Sequence, residues 1–396
     1  MGYRSRMMTM ATKNEVFAGQ KTRYYAGNKE EKGMILDHVI AVTGITRKAA
    51  IRRFGTMRDR DTAAHREKRG RETRYGSDVT AALKDVWEAG DRVCGELLHP
   101  MIAEYVTVLR RDRQWRHGDA ATEKLLVMSE RTVKRRIGRF VRIRRGNRGL
   151  SGTKPSNLKQ TIPVFTGPWK DKPPGYGQID TVVHCGSSLM GDLVHTVQYT
   201  DAATMTVIPR AQWNKNQEST QKSMAGIKER LPFPWLGAHP DSGSEYLNRF
   251  VMDWCGEARI ELSRSRPNHK NDNMYVEERN GHVIRRQVGY LRLDCEEAVG
   301  ALNAFYDVMT PYLLHFVAVR RTERKERVGS KYVRQYEKQA KTPYQRILDH
   351  PAMDETVKAK LRAEHEKLNP LILKREMEAR LKVVYDIQKR YGKSKI

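Results

Sequence analysis

Between residues 146 and 177 the chain carries Pro155, Pro163, Pro168, Pro173 and Pro174 among several glycines. Proline fixes φ and lacks a backbone donor, so this stretch can hold neither a long helix nor a central strand. It separates two rhythms. Upstream, apolar residues recur at helical spacing; downstream, from residue 178, short β-branched runs alternate with helical segments. The pattern predicts a multidomain chain, with all-α N-terminal domains, an extended linker over 146–177, an α/β core over 178–310 and a basic helical C-terminal region over 311–396.

In the N-terminal part, residues 1–30 are polar and irregular and read as a flexible arm. Over 31–75, Leu36–Val42 forms a helical pattern broken at Thr43-Gly44-Ile45, and Thr46 can cap a following helix carrying Arg47, Lys48, Arg52 and Arg53. A short turn with glycine followed by a basic helix is helix–turn–helix arithmetic, suited to entry into a major groove. The segment 76–145 repeats it: two or three amphipathic helices over 77–111, then Leu125–Met128, Ser129 as cap, and a helix with Lys134, Arg135, Arg136 and Arg139. Residues 131–148 hold nine Lys or Arg and no acid. A solvated charge run is the ordinary explanation; two basic units of one kind favour phosphate contact with counterion release.

Downstream of the prolines, strands are expected at Gln178–Val183, Leu193–Tyr199, Met205–Pro209, Trp235–Ala238 and Ile260–Leu262, with helices near 215–230, 244–257 and 272–289. Three carboxylates fall at telling places: Asp180 inside a β-branched run, Asp241 at the end of a strand, and Glu277 on a helix after 35 intervening residues. An Asp flanked by Ile and Val is costly to bury without a cation or donor. Such a trio suits two Mg²⁺ ions about 3.5–4 Å apart, bound by hard oxygens, which serve phosphodiester chemistry. Glu245 competes with Asp241, but Ser242-x-x-Glu245 has capping-box spacing and reads as a helix start. Glu278 competes with Glu277; residues on its helical face are His282 and Arg285, whereas Gly281, Ile284 and Val288 follow Glu277. Asp192 and Asp201 read as strand ends or turns. Arg264, Arg266, Lys270, Asn271 and Arg285 surround this trio as candidate phosphate contacts.

Charge agrees. The 396 residues include 74 basic and 47 acidic ones, a net +27 that attracts a polyanion. No apolar run reaches the roughly 18 residues of a spanning helix, no signal peptide opens the chain, and Arg6 breaks a myristoylation pattern. Nucleic acid is therefore the expected partner, in the cytoplasm at the nucleoid. Cys94, Cys185, Cys255 and Cys295 are scattered without short-spaced pairs, which argues for reduced thiols and against a zinc finger. Gly392-Lys393-Ser394 lacks the upstream glycine of a P-loop, so ATP is not implied.

Gly177-Gln178-Ile179-Asp180-Thr181-Val182, Asp241-Ser242-Gly243-Ser244-Glu245-Tyr246-Leu247-Asn248, Ser263-Arg264-Ser265-Arg266-Pro267 and Lys270-Asn271-Asp272-Asn273 before Val276-Glu277 occur in that order. Together they resemble the integrase-type DDE core of bacterial insertion-sequence transposases, shared more distantly with retroviral integrases. The resemblance covers roughly 175 to 350. It departs at Gly281, where an aromatic often stands, and around His315-Phe316. It implies a ribonuclease-H-like fold with the first Asp mid-strand, the second just past another strand, and the Glu on a helix crossing them. It also implies Asp180, Asp241 and Glu277 as catalytic and metal-binding residues, Mg²⁺ with Mn²⁺ able to substitute, double-stranded DNA as partner and an oligomer on DNA. A ribonuclease-H-like nuclease would account for the acids but not the two basic units. A non-catalytic DNA-binding regulator would account for the units but not the acids.

After residue 350 the pattern is helical and split at Pro370, with Leu373, Met377, Leu381, Val384 and Ile387 as a packing stripe.

Overall fold

A computed structural model describes residues 9–62, 74–140, 165, 169, 172–241, 243–265, 274–328 and 331–392. The chain divides into two compact units, Met1–Arg74 and Tyr75–Ile396.

The small unit is three helices: α1 (Met10–Ala26), α2 (Lys29–Thr43) and α3 (Arg47–Thr62). The expected flexible arm over 1–30 is corrected by α1, capped where the Thr9 side chain accepts from the Thr12 N–H. Phe17, Tyr24 and Tyr25, spaced to share a helical face, explain it: Phe17 is fully buried against Phe54, and Tyr24 stacks on Phe54 at 4.0 Å. A reciprocal Asn28–Glu31 capping box starts α2. Gly44, at φ +70°, ends it in the left-handed conformation that glycine adopts without penalty, and so sets the turn into α3.

The large unit begins with α4 (Ser77–Ala89), α5 (Gly95–Leu98), α6 (Ile102–Arg111), α7 (Asp119–Leu126) and α8 (Glu130–Phe140). A mixed sheet follows. Strands β1 (Tyr176–Val183), β2 (Val194–Asp201) and β3 (Val207–Trp213) form an antiparallel meander; α9 (Gln217–Arg230) leads to β4 (Gly237–Pro240), and α10 (Arg249–Glu257) to β5 (Glu261–Leu262). Their spatial order is β3-β2-β1-β4-β5, with β4 parallel to β1 and β5 parallel to β4. Then come α11 (Met274–Arg279), a π-helical stretch (Asn280–Arg285), α12 (Arg286–Val288) and α13 (Glu297–Phe316). Strand alternation sends Ile179, Val197, Tyr199 and Ile208 to a core with α9 and α10. Val182, Val194, Val207 and Ala211 enter the other core, with α13 and also Leu83, Tyr105 and Ile137 of the N-terminal helices. The helices over 75–140 are thus packed into the large unit, because their apolar faces close on the same core.

The C-terminal region departs from an all-helical expectation. α13 runs through the anticipated boundary at 310. It is followed by a two-stranded antiparallel ribbon, β6 (Thr322–Val328) and β7 (Lys331–Tyr336), before α14 (Pro343–Asp349), α15 (Glu355–His365) and α16 (Pro370–Gly392). The charged, alternating sequence of β6 masks its strand character. The stripe on α16 is observed, with Leu373, Met377, Val384 and Ile387 buried in the large core. Among the described residues no helix is long and apolar enough to cross a membrane.

Candidate active site

Asp180 lies in mid-β1, half-buried, on the strand face that also carries Gln178 and Val182. Gly177 precedes this group because the chain is crowded there: a Cβ would sit 2.5 Å from the Thr200 carbonyl oxygen. Ile179 pairs with Pro240 across the parallel β1–β4 junction, so Asp180 and Asp241 occupy the next positions of the two adjacent chains. Strands lie about 4.8 Å apart, and residues in parallel register share a face. The Asp241 carboxylate accepts the Gly243 N–H at 2.8 Å, which fixes the turn leaving β4.

Tyr246 ties the segment after Asp241 to β1. Its hydroxyl shares a 2.5 Å hydrogen bond with the Thr181 hydroxyl. Burial pushes its phenol well above the ordinary value, and the negative charges of Glu245, Asp180 and Asp241 push it further.

Glu277 lies on α11; its side chain and that of Glu278, and hence the face each presents, fall outside the described residues. The helix itself is tied to β1 twice. The fully buried Gln178 carbonyl accepts the backbone N–H groups of Tyr275 at 2.9 Å and Val276 at 3.1 Å. Asn280 donates from its amide to Asp180 at 2.6 Å, and its own carbonyl accepts from Gln198 at 3.0 Å. The backbone of residue 277 therefore sits between two anchors to the strand that bears Asp180. Gln178, Gln198, Tyr246 and Asn280 were not singled out from sequence. Gln178 two positions before Asp180, and Asn280 three after Glu277, were the available signals.

Asp180 and Asp241 are both half-buried and carry hard carboxylate oxygens of the kind Mg²⁺ takes as ligands. Among the described residues no three His, Cys, Asp or Glu side chains form a metal-binding group.

Several sequence-derived candidates have other tasks. Glu245 is buried and paired with Lys215 at 2.5 Å, while Ser242, its capping-box partner by spacing, lies outside the described residues; Asn248 caps α10, accepting from the Val251 N–H at 3.0 Å. Desolvation raises the Glu245 pKa against the pull of Lys215. Asp201 is a turn residue, fully buried and bonded to the Gly175, Ala203 and Thr204 N–H groups. Arg285 donates to the Val183 carbonyl at 2.7 Å and lies over the Tyr290 ring, so it braces the end of β1. Arg264 is half-buried, and its backbone carbonyl accepts from Phe165. Arg266, Lys270 and Asn271 lie outside the described residues.

On the basic helices, Arg47 pairs with Asp37 and Arg53 lies over the Phe17 ring, whereas Lys48 and Arg52 are exposed. On α8, Lys134 pairs with Glu96, and Arg136 is engaged by Thr80 and by the Tyr75 carbonyl at 2.8 Å. Arg136 is therefore a packing residue, while Arg135 and Arg139 face solvent.

No family model matches the sequence. Uncharacterized protein y4rM of Sinorhizobium fredii is 33% identical over 333 residues, which span 84% of this chain and 94% of y4rM. The chain belongs to the y4rM family. Among solved structures, this y4rM-family chain is similar to the HTLV-2 integrase catalytic core domain in complex with magnesium, at 18% identity and a TM-score of 0.23, over 29% of this chain and 70% of that one. It is also similar to the simian T-cell lymphotropic virus intasome in complex with a PP2A regulatory subunit, at 13% identity and a TM-score of 0.21, over 28% and 43% of the two chains.

Proposed function

We propose that the chain is a DDE-type transposase. It binds inverted repeats at transposon ends, cleaves there to free a 3′-hydroxyl, and joins that end to target DNA. The observation that carries this reading is the meeting of β1, β4 and α11. Asp180 and Asp241 each directly follow one of the paired residues Ile179 and Pro240 of adjacent parallel strands, and the helix of Glu277 is held to β1 by Gln178 and Asn280. The order of acids along the chain and the four motifs around them support the same reading.

Two Mg²⁺ ions, or Mn²⁺ in their place, would be held by Asp180, Asp241 and Glu277 and would supply charge stabilisation to an in-line phosphodiester displacement. The protein supplies position. Asn280 orients the Asp180 carboxylate, and Gln178 fixes where α11 starts. Water attacks the phosphodiester at the transposon end, and the 3′-oxygen leaves. That hydroxyl then attacks a target phosphodiester and displaces a 3′-oxygen there. Neither step needs a nucleophilic side chain or ATP.

In this reading α3 and α8 engage DNA through Lys48, Arg52, Arg135 and Arg139, and the chain works as a dimer or larger oligomer that pairs two ends. The test is joining of labelled terminal-repeat DNA to a supercoiled plasmid. Wild type should yield joined product and Asp180→Asn none. Nicking without joining would make the chain a nuclease, and binding without either would make it a regulator.

A further inference from the structure

We infer that a cavity behind the helical segment 279–287 is a binding site for a small amphipathic anion, a molecule with a flat apolar body and one carboxylate or sulfonate. The inference goes beyond the DNA reading and does not depend on it.

The cavity has a volume of about 360 Å³, inside the range of about 300–1,000 Å³ usual for ligand pockets and too small for a duplex. It lies wholly within the large unit. Its apolar lining comes from four places: Val93 and Leu97 around the start of α5, Val207 at the start of β3, Val283 in the π-helical stretch, and Leu313 and Val319 at and beyond the end of α13. A π-helical turn spaces its hydrogen bonds one residue further apart than an α-turn, and such turns are frequent at functional sites. Here the segment serves two sides. Asn280 donates to Asp180 of β1, while Arg279, Val283 and Arg286 line the cavity.

The lining is preformed. Trp87 donates its indole N–H to the Val93 carbonyl at 2.8 Å, which fixes the turn before α5. Asp91 accepts from the Gln287 amide at 2.5 Å and is paired with Lys374 and Arg286, so the same turn is tied to α12 and α16. Glu96 is paired with Lys134 and lies 3.9 Å from Arg320.

These ties decide the sign of the site. Among the described residues Asp91 and Glu96 are the acids of the lining, and each is already matched by cations of the protein. Arg279, Arg286, Arg320 and His282 stand in the same lining, with Arg279 only 8% exposed. Three guanidinium groups against two matched carboxylates leave a positive balance. The surroundings are mostly apolar, where attraction between charges is stronger than in water. An acid head on an apolar body complements both properties; a neutral body meets one of them, and a cation is repelled. Cys94 belongs to the lining and is exposed, so its thiol reports occupancy.

The experiment titrates the full-length chain with 8-anilinonaphthalene-1-sulfonate, followed by its fluorescence, and in parallel measures iodoacetamide labelling of Cys94 by peptide mapping. One saturable site is expected. At a dye concentration about ten times Kd, Cys94 labelling should slow about tenfold, because about one site in eleven is then empty. The uncharged analogue N-phenyl-1-naphthylamine should bind at least about tenfold more weakly, the effect of about one hydrogen bond to a charged group. Arg279→Gln should weaken the sulfonate about tenfold and leave the neutral amine within about twofold. Leu97→Trp and Val317→Trp, which fill the cavity from two elements, should each remove saturable binding. Urea midpoints identify the folded variants, and either filling variant suffices. Dye binding that a folded filling variant leaves unchanged overturns the inference, as does Cys94 labelling at an unaltered rate with dye bound. A neutral amine that binds as tightly as the sulfonate overturns the anion class. Duplex binding is measured separately, so failure of the DNA reading leaves each of these outcomes in force.

Discussion

Gln178→Met separates the anchor of α11 from the catalytic carboxylates. Methionine keeps the length and much of the shape of glutamine, so packing changes little. What disappears is the acceptor for two buried backbone N–H groups, those of Tyr275 and Val276 at 2.9 and 3.1 Å. Leaving one such donor unsatisfied costs about 1–3 kcal/mol, so two should lower the unfolding free energy by about 2–6 kcal/mol. The larger effect is expected on chemistry. With the N-terminal end of α11 released from β1 and only the Asn280 anchor left, the third carboxylate no longer returns to one place beside Asp180, and strand transfer should fall at least about 100-fold, equivalent to about 2.7 kcal/mol. Terminal-repeat binding should be retained. The assays are urea unfolding, filter binding and plasmid joining on the same preparation. Joining within about threefold of wild type, with unfolding also unchanged, would refute the claim that Gln178 sets the position of α11.

Asp180→Asn, Asp241→Asn and Glu277→Gln should each abolish cleavage and joining in the plasmid assay with end binding intact, whereas Glu278→Gln should remain active; joining by any of the first three removes that residue from the site. Asn280→Ala should cost about 1.5–3 kcal/mol of transition-state stabilisation, the range for a hydrogen bond to a charged group, read as kcat with little change in KM. Burial pushes His184 down to about 3, and burial together with His365 does the same to His315. The unfolded chain therefore binds up to two more protons between about pH 6.5 and 3, so stability is fully present above that window and falls by up to about 2.7 kcal/mol per pH unit on acidification; urea midpoints that stay flat from pH 7 to 4 would contradict this. Burial raises the Cys255 thiol to about 12, so iodoacetamide at pH 8 should label exposed Cys94 and spare Cys255, as peptide mapping would report.

The sequence by itself determined the elements whose cause is local. β-branched alternation placed the strands of the sheet, the proline run divided two rhythms, and Gly44 with its flanking helices set the first turn. It also put Asp180 in a strand, Asp241 at a strand end and Glu277 on a helix. Tertiary structure decided which residues meet. That Asp180 and Asp241 directly follow the paired residues Ile179 and Pro240 depends on β4 lying parallel to β1, a pairing across some 60 residues that no local pattern encodes. That Gln178 holds α11 and that Asn280 reaches Asp180 depend on packing of the helix over the strand. The engagement of Arg136 by Thr80 and Tyr75 and the pairing of Glu245 with Lys215 likewise follow from what stands opposite. The same physics explains two departures. α1 is helical because Phe17 and Tyr24 find Phe54, and β6 is a strand because β7 satisfies its backbone. Charge and spacing reveal what a side chain can do; its partner, supplied by a distant part of the chain, decides what it does.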